Sequence, residues 1–226
     1  NAQPWNMFGL SNNRNLSWEF VERYPEGIND QPWNMFGLSK NLNLPWNFVE
    51  RHPKGLNNNP WDIYSLSRNP NLSWDYVRSH PNGFNGQVWD IRQLSRNINL
   101  DWGFVGEHPA GLNDEPWDMI RLSKNPNLSW EFVEQHPQGL NNNPWHVGLL
   151  SYNPNISWDF VQHNPEGFYD QHWNMDYLSQ NPTLTWDFVV NNINGFNGQN
   201  WNVIGLSCKN WTSDRFKKVK AIIWEV

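Results

Sequence analysis

Apolar and polar positions along this chain recur with a constant step of 28 residues. One tryptophan series runs Trp5, Trp33, Trp61, Trp89, Trp117, Trp145, Trp173 and Trp201, and a second runs Trp18, Trp46, Trp74, Trp102, Trp130, Trp158 and Trp186. Neither is broken by an insertion or a deletion. Self-similarity at a fixed period is the mark of solenoids, propellers and arrays, so the repeat is read before any motif. With the first Trp as position 1, the unit reads W-[ND]-apolar-x-x-L-S-x-N-P-N-L-S-W-[DE]-F-V-x-x-H-P-x-G-[LF]-N-x-x-P. Positions 1, 6, 7, 14, 17 and 23 hold the same residue in all seven complete copies, whereas positions 4, 5, 8, 18, 19 and 22 vary freely.

Each unit carries two helix signals. The Asn59-Pro60-Trp61-Asp62 segment predicts a helix starting at the Pro-Trp pair, because proline suits a first helical position. Ile63 and Leu66 then lie one turn apart and face inward, and the turn cluster Asn69-Pro70-Asn71 ends the helix. The second helix is announced by Ser73 as cap, with Asp75 favoured at its positive end. Trp74, Tyr76, Val77 and His80 form its apolar side, Pro81 stops it, and Gly83 supplies a turn.

Helices of about eight residues are not stable alone, so each unit must bury its apolar residues against its neighbours. The expected fold is an all-α solenoid of two-short-helix repeats. A leucine-rich-repeat-like or other β-containing coil is the alternative, on the strength of segments such as Leu66-Ser67-Arg68-Asn69. Against it, the position two before that Leu holds Arg92 and Asp176, which cannot take a buried place. A four-stranded propeller blade needs about 40 residues, more than the unit supplies.

Repeats couple only to neighbours, so residues 1–226 are expected to form a single elongated domain. Its copies span 5–32, 33–60, 61–88, 89–116, 117–144, 145–172 and 173–200, with a degenerate last copy and cap over 201–226. Asn1-Ala2-Gln3-Pro4 align with the end of a unit, and Ser213 to Val226 read as a longer amphipathic capping helix. The 22 acidic residues exceed the 16 basic ones, which argues against a nucleic-acid partner, since phosphate binding draws mainly on Lys and Arg. The single Cys208 excludes an intramolecular disulfide framework and gives no structural zinc set. No run approaches the roughly 20 apolar residues of a membrane span, so no membrane partner is expected.

The string L-S-x-N-P-N-[LI]-[ST]-W-[DE]-F-V stands at Leu122 to Val133 and Leu150 to Val161, and at Leu178 to Val189 with Thr183 in place of Asn. It resembles the Trp-rich tandem-repeat proteins of giant DNA viruses of amoebae and algae, from Trp5 to about Ser207. The resemblance implies a binding or structural protein without an assigned catalytic activity. The 28-residue spacing with its H-P-x-G insert departs from the shorter units expected in many such proteins.

The histidines His52, His80, His108 and His136 recur at one position. Packed helices lie about 8–10 Å apart, whereas each ligand of a zinc ion sits about 2 Å from it, so neighbouring rungs cannot share a metal. Tyr24, Asn164 and Asn192 stand at the same position, which fits a polar group capping a helix carbonyl. Glu19, Asp75, Glu131, Asp159 and Asp187 read as helix-dipole partners. Ser11, Ser39, Ser67, Ser95, Ser123, Ser151, Ser179 and Ser207 recur in every copy, whereas a catalytic site needs one distinctive constellation. No enzyme activity and no cofactor are expected. Asn71 and Asn127 match a glycosylation acceptor pattern, for which helix capping by the Ser is a sufficient reading.

Function should lie where the copies differ. Positions 4, 5 and 8 are expected on the outer side of the first helix, aligned from unit to unit. Position 8 carries Lys40, Arg68, Arg96 and Lys124, and position 4 carries Phe36, Tyr64, Arg92 and Ile120. Such a basic and aromatic stripe suits an acidic or extended peptide, although charged surface stripes are also ordinary solvated faces. Three functions are expected: a protein-interaction scaffold, a structural component of a virion or assembly, or a lectin using exposed Trp rings.

Overall fold

The computed structural model describes residues 5–209. The expected capping helix of Ser213 to Val226 and the partial unit at 1–4 lie outside the described residues. Among the described residues, fifteen α-helices of five or six residues follow one another with no strand. The all-α solenoid of two-helix repeats is therefore the fold, and the β-containing alternative is set aside. The chain divides into two compact units, Asn1–Asp118 and Met119–Val226.

In the first unit, the first helices of neighbouring repeats pack on one another: Met7–Ser11 on Met35–Lys40, that helix on Ile63–Arg68, and that on Ile91–Ser95. The second unit repeats the arrangement with Met119–Lys124, Val147–Tyr152, Met175–Gln180 and Val203–Ser207. The second helices, such as Trp74–Ser79, begin where expected. Ser73 accepts from the Tyr76 N–H at 3.2 Å, and Asp101 does the same for Phe104 at 3.0 Å.

The first helix starts two residues later than the Pro-Trp pair predicts. It begins at Ile63, capped by Asp62, whose carboxylate accepts from the Ser65 N–H at 2.7 Å. Trp61 stays outside the helix because its indole is held elsewhere. Its N–H donates 2.7 Å to the carbonyl of His52 at the end of the preceding second helix. The same bond, at 2.6–2.8 Å, recurs from Trp33, Trp89, Trp117, Trp145, Trp173 and Trp201. These rings are buried. Trp5 alone in the series is exposed, at 54%.

The second tryptophan series joins neighbouring repeats through tilted and edge-on ring contacts. Trp18 meets Phe48 at 5.0 Å, Trp46 meets Tyr76 at 5.5 Å, and Trp74 meets Phe104 at 5.5 Å. Each such Phe in turn presents its ring perpendicular to the next first-series indole, as Phe48 does to Trp61 at 6.1 Å and Phe104 to Trp117 at 6.3 Å. These are the offset geometries that aromatic quadrupoles prefer.

Two polar ladders run through the core. The recurring serine is wholly buried in the seven complete copies: Ser67 Oγ donates to the Ile63 carbonyl at 2.8 Å and accepts the Asp90 N–H of the next repeat at 3.1 Å. The Asn at position 9 is also the same in every complete copy, from Asn13 to Asn181. Its amide nitrogen donates to two main-chain carbonyls of the preceding repeat, as Asn69 does to Ser39 and Asn41, each at 2.9 Å. Asn97, Asn153 and Asn181 do likewise. A six-residue helix leaves most of its end carbonyls without a helical partner, and each of these asparagines supplies a donor to two carbonyls at such an end.

Between second helix and next repeat the chain makes a tight turn in which Ile28 pairs with Gln31, Leu56 with Asn59 and Phe84 with Gln87. Both central residues have positive φ, as at Asn57 (49°) and Asn58 (59°). This is the signature of a type I′ turn.

Candidate functional site

The expected stripe residues are all at the surface. Phe36, Lys40, Tyr64, Arg68, Arg92 and Arg96 are exposed on the first unit, and Ile120 and Lys124 are exposed on the second. Position 5 departs from the expectation in three copies of the first unit, whereas Tyr177 of the second unit is exposed there. Gly37, Ser65 and Gln93 are buried, because this side of the first helix faces the neighbouring repeat. A Cβ on Gly37 would stand 2.9 Å from that of Ser11.

Within the first unit, Phe36, Lys40, Tyr64 and Arg68 line one groove of about 390 Å³ together with Arg14, Leu42 and Pro70. Phe8 and Phe36 lie near-parallel with centroids 6.3 Å apart, and the Lys40 ammonium sits over the Phe36 ring at 5.6 Å. A cation over a ring face is attracted by the ring quadrupole. Arg14 and its counterparts Leu42 and Pro70 were not singled out by sequence. They sit at position 10, inside what reads as a plain turn, and only its variability from copy to copy marks it.

The cations of this face differ from Arg51 and Arg78 of the second helices. Arg51 pairs with Glu22 at 3.1 Å, and Arg78 reaches Glu107 at 2.9 Å, Asp101 at 3.1 Å and Asp75 at 3.4 Å. The bonds to Glu107 and then Asp101 raise the Arg78 pKa above its ordinary value. Among the described residues, Arg14, Lys40, Arg68, Arg92 and Arg96 have no carboxylate partner in any ion pair.

The other recurring polar residues are engaged in the scaffold. Nδ1 of His80, His108 and His136 lies 3.0–3.1 Å from a carbonyl four residues back, as capping requires, and the Asn164 and Asn192 amides make the same bond. His52 instead meets Glu22 at 3.0 Å through Nε2. Among the described residues no group of three His, Cys, Asp or Glu could hold a metal ion, and no helix is long and apolar enough to cross a membrane. At the acceptor pattern of Asn71, the amide nitrogen donates to the carbonyls of Leu42 at 2.8 Å and Leu44 at 3.1 Å.

No family model matches the chain, and neither the curated proteins nor the solved structures include a match.

Proposed function

We propose that the chain is a non-catalytic repeat scaffold that binds a protein partner through the outer face of its first helices. The observation that carries this reading is the contrast between the two kinds of cation. Arg51 and Arg78 on the second helices are neutralised in place, whereas Lys40, Arg68, Arg92 and Arg96 stand exposed without a carboxylate and next to the exposed rings of Phe36 and Tyr64. Arginine and aromatic residues are what protein interfaces enrich. The recurrence of the serines, asparagines and histidines in the same bonds from copy to copy supports a framework role for them.

Affinity capture with the intact chain tests the reading. A protein retained by the native chain should be lost with Lys40→Glu/Arg68→Glu/Arg96→Glu/Lys124→Glu, and an identical capture by both overturns it. The resemblance of the L-S-x-N-P-N-[LI]-[ST]-W motif to Trp-rich viral repeat proteins favours a second reading, a structural component of a viral particle or assembly, in which the same face packs against neighbours. A sugar-stacking role has less support, because the first-series indoles beyond Trp5 are buried.

A further inference from the structure

We infer that the groove of the first unit receives an extended acidic peptide segment, whose carboxylates pair with Arg14, Lys40 and Arg68 while its rings or prolines lie against Phe36 and Tyr64. The inference rests on the scaffold reading above and adds the ligand class and its place. The three cations come from three consecutive repeats and line one groove. None has a carboxylate partner, and Lys40 is held over a ring. An arriving carboxylate therefore displaces no existing ion pair.

The groove is too small for a folded domain and of the size that takes a few side chains. Its rings, Phe36 and Tyr64, stand at equivalent positions of consecutive repeats, so an extended chain that crosses the repeats meets both. Carboxylate is favoured over a phosphate backbone by the charge balance of the chain. It carries six more acidic than basic residues, and a long polyanion draws its affinity from many cations, whereas a short acidic segment needs only the few that line the groove.

The probe is a fluorescein-labelled peptide in which Glu alternates with Tyr and Pro, titrated with the full chain at low salt and followed by anisotropy. Binding should weaken by about tenfold or more for Arg14→Glu/Lys40→Glu/Arg68→Glu and for the peptide with Gln in place of Glu. It should be unchanged for Arg23→Glu, which alters charge on a second helix. Far-UV circular dichroism should show the triple variant folded, since all three side chains are at the surface. Equal binding of the Gln peptide overturns the charge recognition. Loss in Arg92→Glu/Arg96→Glu but not in the triple variant overturns the groove and leaves the scaffold reading standing. Tighter binding of an oligo-dT strand than of the peptide overturns the carboxylate assignment, and no binding of either peptide overturns the whole inference without touching the capture result.

Discussion

The side-chain amide of Asn69 donates 2.9 Å to the main-chain carbonyl of Asn41, the same residue one repeat earlier, and Asn41 in turn donates to the carbonyl of Asn13. Each asparagine is thus both a rung and the acceptor for the next. Asn69 is buried and also accepts the Asn71 N–H at 2.9 Å, so its side chain uses both amide ends.

Asn69→Ala leaves the Ser39 carbonyl buried without that donor, leaves the Asn41 carbonyl only the Leu44 N–H at 3.1 Å, and frees the turn at Asn71. The expected cost is about 3 kcal/mol, since a buried polar group left unsatisfied costs about 1–3 kcal/mol. Asn69→Asp should cost more, because an ionised carboxylate would face two carbonyls with no proton to give. Urea unfolding of both variants checks the order. An aspartate variant as stable as the native chain would show that the amide protons carry no weight here.

Trp61 should separate packing from hydrogen bonding. Its indole is buried at 1% exposure and its N–H bonds the His52 carbonyl. Trp61→Phe retains most of the apolar ring and removes the indole bond, while the His52 carbonyl keeps the Gly55 N–H at 2.9 Å, for an expected loss of about 1 kcal/mol. Trp61→Ala also opens a cavity and should cost about 3–5 kcal/mol. Thermal unfolding of the two variants reads the difference directly.

Much of this architecture was legible in the sequence because identical layers need identical contacts. The period gave the two-helix solenoid, the Ser and Pro signals bounded the second helix, and the exposed stripe of Phe36, Lys40, Tyr64 and Arg68 followed from variability. The misplaced features share a cause. Pro60-Trp61 carries a good local start signal, but Trp61 is held out of the helix by a bond to a residue nine positions earlier, which no local rule contains. Asn69 reads as a turn former, and its donors act across the repeat boundary. At Gly37 position 5 turns inward, and the close approach to Ser11 fixes that rotation across a repeat boundary, where no local rule reaches. The type I′ turns did have a signal, in Asn85-Gly86 and Asn197-Gly198.

The turn offers a paired test in glycine. Gly83 has φ of 118°, and a Cβ there would stand 2.0 Å from the Gln87 carbonyl oxygen, which belongs to the backbone pair closing the turn. Gly86 has φ of 73° with nothing within 4 Å. Gly83→Ala should therefore cost more than about 3 kcal/mol, while Gly86→Ala should cost about 1 kcal/mol from backbone strain alone. Equal destabilisation in chemical unfolding would mean that the close approach relaxes without penalty.

The eighth copy of the ladder differs in kind. Lys209 stands where the complete copies have Asn, and its ammonium donates to the Asn181 carbonyl. Burial holds its pKa below the usual lysine value. The folded chain then binds fewer protons than the unfolded chain between the lowered folded pKa and the ordinary value of 10.5. Stability should consequently rise with pH across that window, the penalty being largest below it, where the ammonium is charged in both states. Lys209→Asn should remove this pH dependence and let an uncharged amide bond the carbonyls of Ser179 and Asn181, as Asn181 bonds those of Ser151 and Asn153. The expected gain is about 1 kcal/mol near neutral pH. Unfolding midpoints of native chain and variant from pH 7 upward measure both effects. A variant that is less stable at neutral pH, or a native chain whose midpoint falls as the lysine loses its proton, would overturn this account of the last rung.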